Sequence, residues 1–321
     1  IVPEAYGGTP MSVTGLSTLL QKLASVDPSL AIHTMVPASL GPAELLSHYG
    51  TEEQKARYLP RLAKGEIPCF GLTSTDAGSD AAGSMTDYGY VREKEGRVHI
   101  ELHCRKRYIT LAPVAEIIGI AFKIEDPDGI LEANGYPAAH GSISLALVDR
   151  GRKNLETGPR TDPLGVGFSN GTITGNGVVL DIDHDIIGGR AGLNKGWKYL
   201  MECLAAGRGV ALPASAAGAS KLLTVGVGGY AALRKQFKRP ISDFEGVQSK
   251  LADMAIRTYE IHALVEFMNS VLERKETPPV MSAIVKYQTT ELARSVVNNA
   301  MDVMAGAAIC MGPKNFVAPH Y

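Results

Sequence analysis

Few cysteines, few aromatics, almost no net charge and no long apolar run mark this sequence. Its 321 residues include Cys69, Cys104, Cys203 and Cys310, no two of them in a C-x-x-C. That spacing argues against cysteine ligation of a metal and suits free, buried thiols in a reducing compartment. No H-E-x-x-H occurs among the histidines, so no zinc site and no other metal is expected. The formal net charge is -1, so no global basic field points to nucleic acid or an anionic membrane. Two short basic runs, Arg105-Lys106-Arg107 and Arg234 to Arg239, read either as solvated faces or as anion contacts. No stretch of 18 apolar residues occurs, so no transmembrane segment is expected. No charged and then apolar leader follows Ile1, so no signal peptide is expected. Both ends read as internal, and the chain is expected to be part of a longer protein.

What is present is an ordinary globular composition, 45% hydrophobic and 20% charged. Leu16, Leu19, Leu20 and Leu23 recur at helical spacing over residues 11–25. Further helices are predicted from Pro28, over 41–49 and over 52–64. Thr51 and Gln54 form a capping box, and Pro60 is expected to shorten or kink its helix. At Ile67 the pattern turns to strands, predicted at 67–73, 97–103, 107–111, 117–124, 142–149 and 172–182. Val98, Ile100 and Leu102 alternate with His99 and Glu101, the period of a half-buried strand. Residues 127–141 read as a surface loop. From Gly192 to about 308 the chain reads as helix again. Gly226, Gly228 and Gly229 suit close helix approach rather than a phosphate loop. Val247, Leu251, Met254, Thr258, Ile261, Val265, Met268 and Leu272 make an a/d seam, the mark of a long bundle helix. A third long helix follows the break at Pro278-Pro279, and a fourth is expected beyond Tyr321. The fold class is therefore α+β, with boundaries near 66 and 190.

One stretch concentrates chemistry. In Ile67 to Asp80 an apolar run passes into T-S-T-D-A-G-S-D, bringing hydroxyls and free backbone groups to the end of a buried strand. Such a junction suits a ligand wall, or merely local turn hydrogen bonds.

Motifs on and around this stretch resemble a known family. Gly50-Thr51-Glu52-Glu53-Gln54-Lys55 with Tyr58-Leu59-Pro60, followed by G-L-T-S-T-D-A-G-S-D over 71–80, resembles the acyl-CoA dehydrogenases. Lys106-Arg107-Tyr108-Ile109-Thr110 is similar to that family's strand with an aromatic, an apolar residue and a Thr. Arg208-Gly209 looks like its substrate-side arginine. Arg234-Lys235-Gln236-Phe237, Pro240-Ile241 and Phe244-Glu245 look like its R-x-x-F…P-I…F-Q run. The segments V-P-x-S-L-G-P-x-E-L-L-x-H-Y-G near 36–50 and K-R-Y-I-T-L-A-P near 106–113 resemble, in particular, the large bacterial fatty-acyl-CoA dehydrogenases.

The resemblance implies an N-terminal helical domain (1–66), a middle antiparallel β-barrel (67–190) and a C-terminal helical bundle (191–321). It implies FAD as cofactor and oxidation of fatty acyl-CoA to trans-2-enoyl-CoA in fatty acid β-oxidation. Electrons would pass to an electron-accepting flavoprotein. The implied assembly is a homodimer or homotetramer in the cytoplasm, or peripheral to the inner membrane. Phe70, Leu72 and Thr73 would face the flavin through backbone groups and the Thr73 hydroxyl. Gly78 and Ser79 would meet cofactor and acyl-CoA. Tyr108, Ile109 and Thr110 would lie along the flavin ring, with Tyr108 where the family more often has Trp. Arg208 would face substrate. Arg234, Gln236 and Phe237 would reach a neighbouring subunit's FAD, as would Gly306 in D-V-M-A-G, the counterpart of a family Q-x-x-G-G.

The implied chemistry needs a carboxylate base to remove the α-proton. The family's usual base, a Glu in an E-G motif, is expected beyond Tyr321. An alternative Glu before the substrate-side arginine is replaced by Gly207, and Glu202 falls on another helix face. No catalytic residue is assigned. Two alternatives stay open: an acyl-CoA oxidase, and a non-catalytic scaffold or binding protein that retains the fold, which the departures at Glu245, Asp302 and Ala305 favour.

Overall fold

The computed structural model describes residues 2–9, 11–39, 41–276 and 278–321, with side chains of residues 38, 39 and 205–208 outside that description. The chain divides into two units. A sheet unit comprises Ile1–Pro10 and Val36–Leu204; a bundle unit comprises Met11–Met35 and Ala205–Tyr321.

The first helices in the chain are α1 (Val13–Ala24) and α2 (Pro28–Ser39). In the sheet unit α3 (Pro42–Tyr49) and α4 (Glu52–Ala63) follow. The capping box is as the sequence predicts: Thr51 Oγ1 accepts from the Gln54 amide at 3.2 Å, and Gln54 Oε1 accepts from the Thr51 amide at 3.1 Å. Gln54 Nε2 also donates to the carbonyls of His184 and Ile186, at 3.0 and 2.6 Å, which ties the start of α4 to a distant segment. Pro60 does not shorten α4, which continues to Ala63. So near the C-terminal end its missing amide costs a single intrahelical bond.

The sheet has seven strands: β1 (Pro68–Gly71), β2 (Tyr88–Lys94), β3 (Arg97–Thr110), β4 (Ile117–Glu125), β5 (Ile143–Asp149), β6 (Leu155–Arg160) and β7 (Asn170–Asp181). Short helices α5 (Ile130–Ala133) and α6 (Ile182–Asp185) flank β5 and β7, the former inside the stretch expected to be loop. The order is β1-β4-β2-β3-β7-β6, with β5 also on β4. The sheet is mixed rather than wholly antiparallel, since β1 and β2 both run parallel to β4. Gly71 lies opposite Ile120 and Tyr88 opposite Lys123. Because β5 pairs with the same β4 residues, β1 and β2 must lie end to end along β4's other edge. The chain therefore leaves the sheet after Gly71 and re-enters it at Tyr88 travelling in the same direction. Residues 72–87 form a loop between the end of β1 and the start of β2, tied to β3 by an antiparallel bridge between Ser74 and Lys106.

Strands β4 and β5 are buried on both faces, as their continuous apolar runs predict. Ile118, Ile120, Phe122 and Ile124 pack with Ile100, Leu102 and Cys104 of β3 on one side. Ile117 and Ala121 pack with Leu145, Leu147, Leu59 and Phe70 on the other.

In the bundle unit the C-terminal part of α7 (Gly196–Leu233) precedes a short hairpin, β8 (Lys235–Gln236) and β9 (Arg239–Pro240), where the sequence reads as helix. Then come α8 (Glu245–Glu273), α9 (Pro279–Met304) and α10 (Gly306–Ile309). The a/d seam of α8 is real: Met254, Ile261, Val265 and Met268 are buried. Thr258 on that seam reaches the Thr224 hydroxyl at 2.7 Å. Of Gly226, Gly228 and Gly229 in α7, only Gly226 serves close approach. A Cβ there would stand 2.6 Å from the Phe316 ring, whereas Gly228 and Gly229 face open space. By length and composition alone α7 could cross a bilayer, but Leu223, Val227 and Ala231 are fully buried in the core of the bundle unit.

Candidate functional site

Loop 72–87 is held down twice. Its apolar members Ala77 and Met85 are each 1% exposed and pack in the sheet unit's second core. Its polar base is fixed by one side chain from β3. Along that strand Ile100, Leu102, Cys104 and Lys106 alternate inward. The fourth is charged, and its side chain has no exposure. The Lys106 ammonium donates to the Leu72 carbonyl at 3.0 Å, to Ser74 Oγ at 3.1 Å and to Asp87 Oδ2 at 2.6 Å. Those three bonds use its three protons. Asp87 Oδ1 accepts from the Arg105 amide at 2.7 Å, and the Ser74 hydroxyl donates to Asp87 Oδ2. Burial pushes the Lys106 pKa below its ordinary value, and the Asp87 carboxylate opposes that fall.

Backbone bonds continue the attachment. The Arg107 amide donates to the Thr73 carbonyl at 3.2 Å, and the Thr75 amide donates to the Arg105 carbonyl at 3.3 Å. Asp76 bridges the two arms of the loop, accepting from Thr75 Oγ1 at 3.0 Å and from Thr86 Oγ1 at 3.2 Å. Thr73, Gly78 and Ser79 remain exposed on this framework, and Leu72 is half-buried. Phe70 is packed into the core at 5% exposure, so only its backbone could meet a ligand.

Next to the loop, β3 changes register. Lys106 pairs with Ile173 and Ile109 with Gly171, so β3 carries one residue more than β7 across this step. Such a bulge re-aims side chains. Tyr108 is turned out to 64% exposure, while Ile109 goes into the core at 4%. Ile109, like Phe70, offers a ligand only its backbone. Thr110 ends the strand half-buried, with its hydroxyl 3.5 Å from the Asn170 amide nitrogen. One wall of the sheet unit thus gathers Leu72, Thr73, Tyr108 and Thr110, with Gly78 and Ser79 further out on the same loop.

The bundle unit holds the other candidates. Phe237 and Lys238 form the turn of the β8–β9 hairpin, both with left-handed φ, 51° and 67°. Two such residues are what a tight hairpin turn demands. Phe237 is 90% exposed, and Arg234, Lys235 and Gln236 are exposed beside it. Arg239 lies over the Phe244 ring at 4.2 Å, and Phe237 meets that ring edge-on at 6.1 Å. Gly306 opens α10 and is exposed. Before it, Ala305 sits at φ 47°, ψ -124°, a conformation that favours glycine. Asp302 pairs with Lys250 at 2.7 Å, linking α9 to α8. Glu245 opens α8, where a carboxylate suits the helix dipole. Arg208 lies in α7, but its side chain is outside the described residues, so it is not placed against any partner. Glu202 is engaged within the sheet unit: it accepts from the Tyr49 hydroxyl, and Tyr49 stacks on Tyr199 with ring centres 3.8 Å apart. Burial and Glu202 raise the Tyr49 pKa.

Sequence reasoning missed the Lys106–Asp87 pair. The signal was present, since Lys106 continues the inward set Ile100, Leu102, Cys104, but charged residues are read as exposed by default.

Three acyl-CoA dehydrogenase domain families match this chain: the N-terminal domain over residues 1–66, the middle domain over 69–178 and the C-terminal domain over 194–318. The chain belongs to the acyl-CoA dehydrogenase family. It is 30% identical to a 3-(aryl)acrylate reductase of Clostridium sporogenes, over 95% of this chain and 76% of that protein. It is 29% identical to the probable acyl-CoA dehydrogenase FadE10 of Mycobacterium tuberculosis, but spans only 45% of its length. Butyryl-CoA dehydrogenase from Megasphaera elsdenii has the same fold, with a TM-score of 0.84 at 23% identity, over 99% of this chain and 80% of that one.

The family is one of FAD-dependent oxidoreductases, and a structural neighbour, glutaryl-CoA dehydrogenase from Mycobacterium smegmatis, is in complex with FADH2. The residues present fit that group. The Thr73 and Ser79 hydroxyls are exposed and make no side-chain hydrogen bond among the described residues. The space a Gly78 Cβ would occupy is open, and the Tyr108 ring is turned outward.

Proposed function

We propose that this chain is the cofactor- and substrate-binding part of a dehydrogenase that converts fatty acyl-CoA to trans-2-enoyl-CoA in fatty acid β-oxidation. The observation that carries the reading is the wall formed by the latched loop 72–87 and the β3 bulge. There the exposed Thr73 is bonded through its carbonyl to the Arg107 amide, next to the outward-turned Tyr108. FAD, when bound, supplies the hydride acceptor. Leu72, Thr73, Ile109 and Thr110 would hold its ring through backbone and hydroxyl groups, with Phe70 contributing backbone only and Tyr108 lying against a ring face. Gly78 and Ser79 would meet the acyl-CoA side, and Arg208 would orient substrate.

Arg234, Gln236 and Phe237, with Gly306, would serve a neighbouring subunit's FAD, the guanidinium of Arg234 as a charge-assisted donor to the pyrophosphate. The assembly is then a homodimer or homotetramer, placed in the cytoplasm or peripheral to the inner membrane, and an electron-accepting flavoprotein takes the reducing equivalents. The three-domain division at 66 and 190 belongs to the same reading. No residue of this chain is assigned as the α-proton base.

Anaerobic addition of a long-chain acyl-CoA to the FAD-loaded protein, in a form that carries the α-proton base, is the test. Loss of visible flavin absorbance, greater than with butyryl-CoA, supports the reading. Rapid peroxide release in air supports an oxidase instead. Loaded protein that no acyl-CoA bleaches is the scaffold outcome.

A further inference from the structure

The buried Lys106–Asp87 pair has a placement that core stability does not explain. Replacing a buried ion pair by well-packed apolar residues is often neutral or stabilising, so such a pair is weak evidence of stabilisation. What an apolar pair cannot do is direct hydrogen bonds. Here one ammonium and one carboxylate engage the first and last residues of the loop, Leu72 and Asp87, together with Ser74 and the Arg105 amide. The flanking backbone bonds, Arg107 to Thr73 and Thr75 to Arg105, bracket Lys106 on either side. Ala77 and Met85, with Leu72, would keep the loop packed without the pair, but the polar contacts that set Thr73 beside the bulge carrying Tyr108 come from Lys106 and its neighbours on β3.

We propose that Lys106 and Asp87 are positioning residues of the FAD site, a buried latch that closes the base of loop 72–87 and sets residues 72–79 against Tyr108. The proposal rests on the reading that this wall meets FAD. It assigns neither residue a contact with the cofactor. Their effect passes through the Leu72 carbonyl, the Ser74 hydroxyl and the Arg105 amide. A wall displaced by a fraction of an ångström binds and orients its ligand less well.

The test is the double variant Lys106→Met with Asp87→Leu, which removes both charges and leaves no buried ion alone. Its control is Arg152→Met with Asp185→Leu, an ion pair of the same unit, 2.7 Å apart, whose side chains bond outside residues 72–87. FAD affinity is measured by flavin fluorescence, and hydrogen exchange is followed at the Thr75 and Arg107 amides. The latch predicts an FAD dissociation constant raised roughly tenfold and exchange at both amides accelerated by roughly the same factor, with neither change in the control. A folded double variant with wild-type affinity and wild-type exchange overturns it. Should wild-type protein itself refuse FAD, the cofactor reading fails, and the exchange measurement alone then decides on the latch. Should the double variant not fold, Ser74→Ala removes one acceptor for Lys106 and one donor to Asp87 without disturbing charge. It is expected to raise the dissociation constant about threefold, and unchanged affinity and exchange in that variant overturn the proposal.

Discussion

Loop 72–87 and the β8–β9 hairpin both carry residues proposed to meet FAD, yet they are built in opposite ways. The loop joins β1 to β2 and is fixed from beneath by a buried ion pair, two buried apolar side chains and backbone bonds to β3. The hairpin has two residues per strand, a left-handed turn and a Phe tip that is 90% exposed. Its attachments are the Ile241 amide bond to the Arg234 carbonyl at 2.8 Å and the packing around Phe244. Changes under the loop should therefore damage the fold as well as binding. Changes on the hairpin should damage binding alone.

The largest effect that tests this contrast is at Lys106. Lys106→Met leaves Asp87 buried without its partner and should cost about 3–5 kcal/mol of the sheet unit's stability, read from urea unfolding. On the hairpin, Arg234→Ala should weaken FAD binding roughly tenfold, about 1.4 kcal/mol, while unfolding stays within about 0.5 kcal/mol of wild type. If Arg234→Ala instead lowers stability as much as Lys106→Met does, the contrast is broken. Smaller still is Ala305→Gly, which should stabilise the turn after α9 by about 1 kcal/mol because Gly adopts φ 47°, ψ -124° without a Cβ clash.

The smallest effect is on pH dependence. Burial pushes the Asp149 pKa up, but hydrogen bonds from Arg61 and Arg57, both at 2.6 Å, bring it below its ordinary 3.8. A carboxyl lowered on folding contributes stability above its unfolded pKa and loses it as pH falls through the folded one. Acid unfolding monitored below about pH 4 should therefore be shallower in Asp149→Asn than in wild type.

The sequence made some of this legible and hid the rest for physical reasons. The Thr51–Gln54 capping box, the α8 seam and the two-faced burial of β4 and β5 follow from spacing, because each is a local pattern repeated over several residues. Strand β2 escaped because only Gly89 and Val91 of its residues are buried, too few to show alternation. Gly89 has no side chain to reveal the pattern, and a Cβ there would come within 2.5 Å of the Phe122 ring. Strand β6 escaped because Gly158 and Pro159 read as a turn and only Leu155 is buried. The hairpin was too short to interrupt a helical pattern. Motif resemblance pointed to exposed residues of the proposed site, such as Thr73, Tyr108 and Arg234. It did not find the pair beneath them, whose partners lie 19 residues apart and meet only when β3 passes under the loop. Nor could it separate Phe70 and Ile109, which face the core, from neighbours that face outward.

The measurement that bears most directly on the account is equilibrium binding of FAD to the purified wild-type protein and to Thr73→Ala. The account predicts saturable binding with visible flavin absorbance in wild type and clearly weaker binding in the variant. A folded wild-type protein that stays colourless with excess FAD, or a Thr73→Ala variant that binds it as tightly as wild type, would contradict the assignment of loop 72–87 as the cofactor wall.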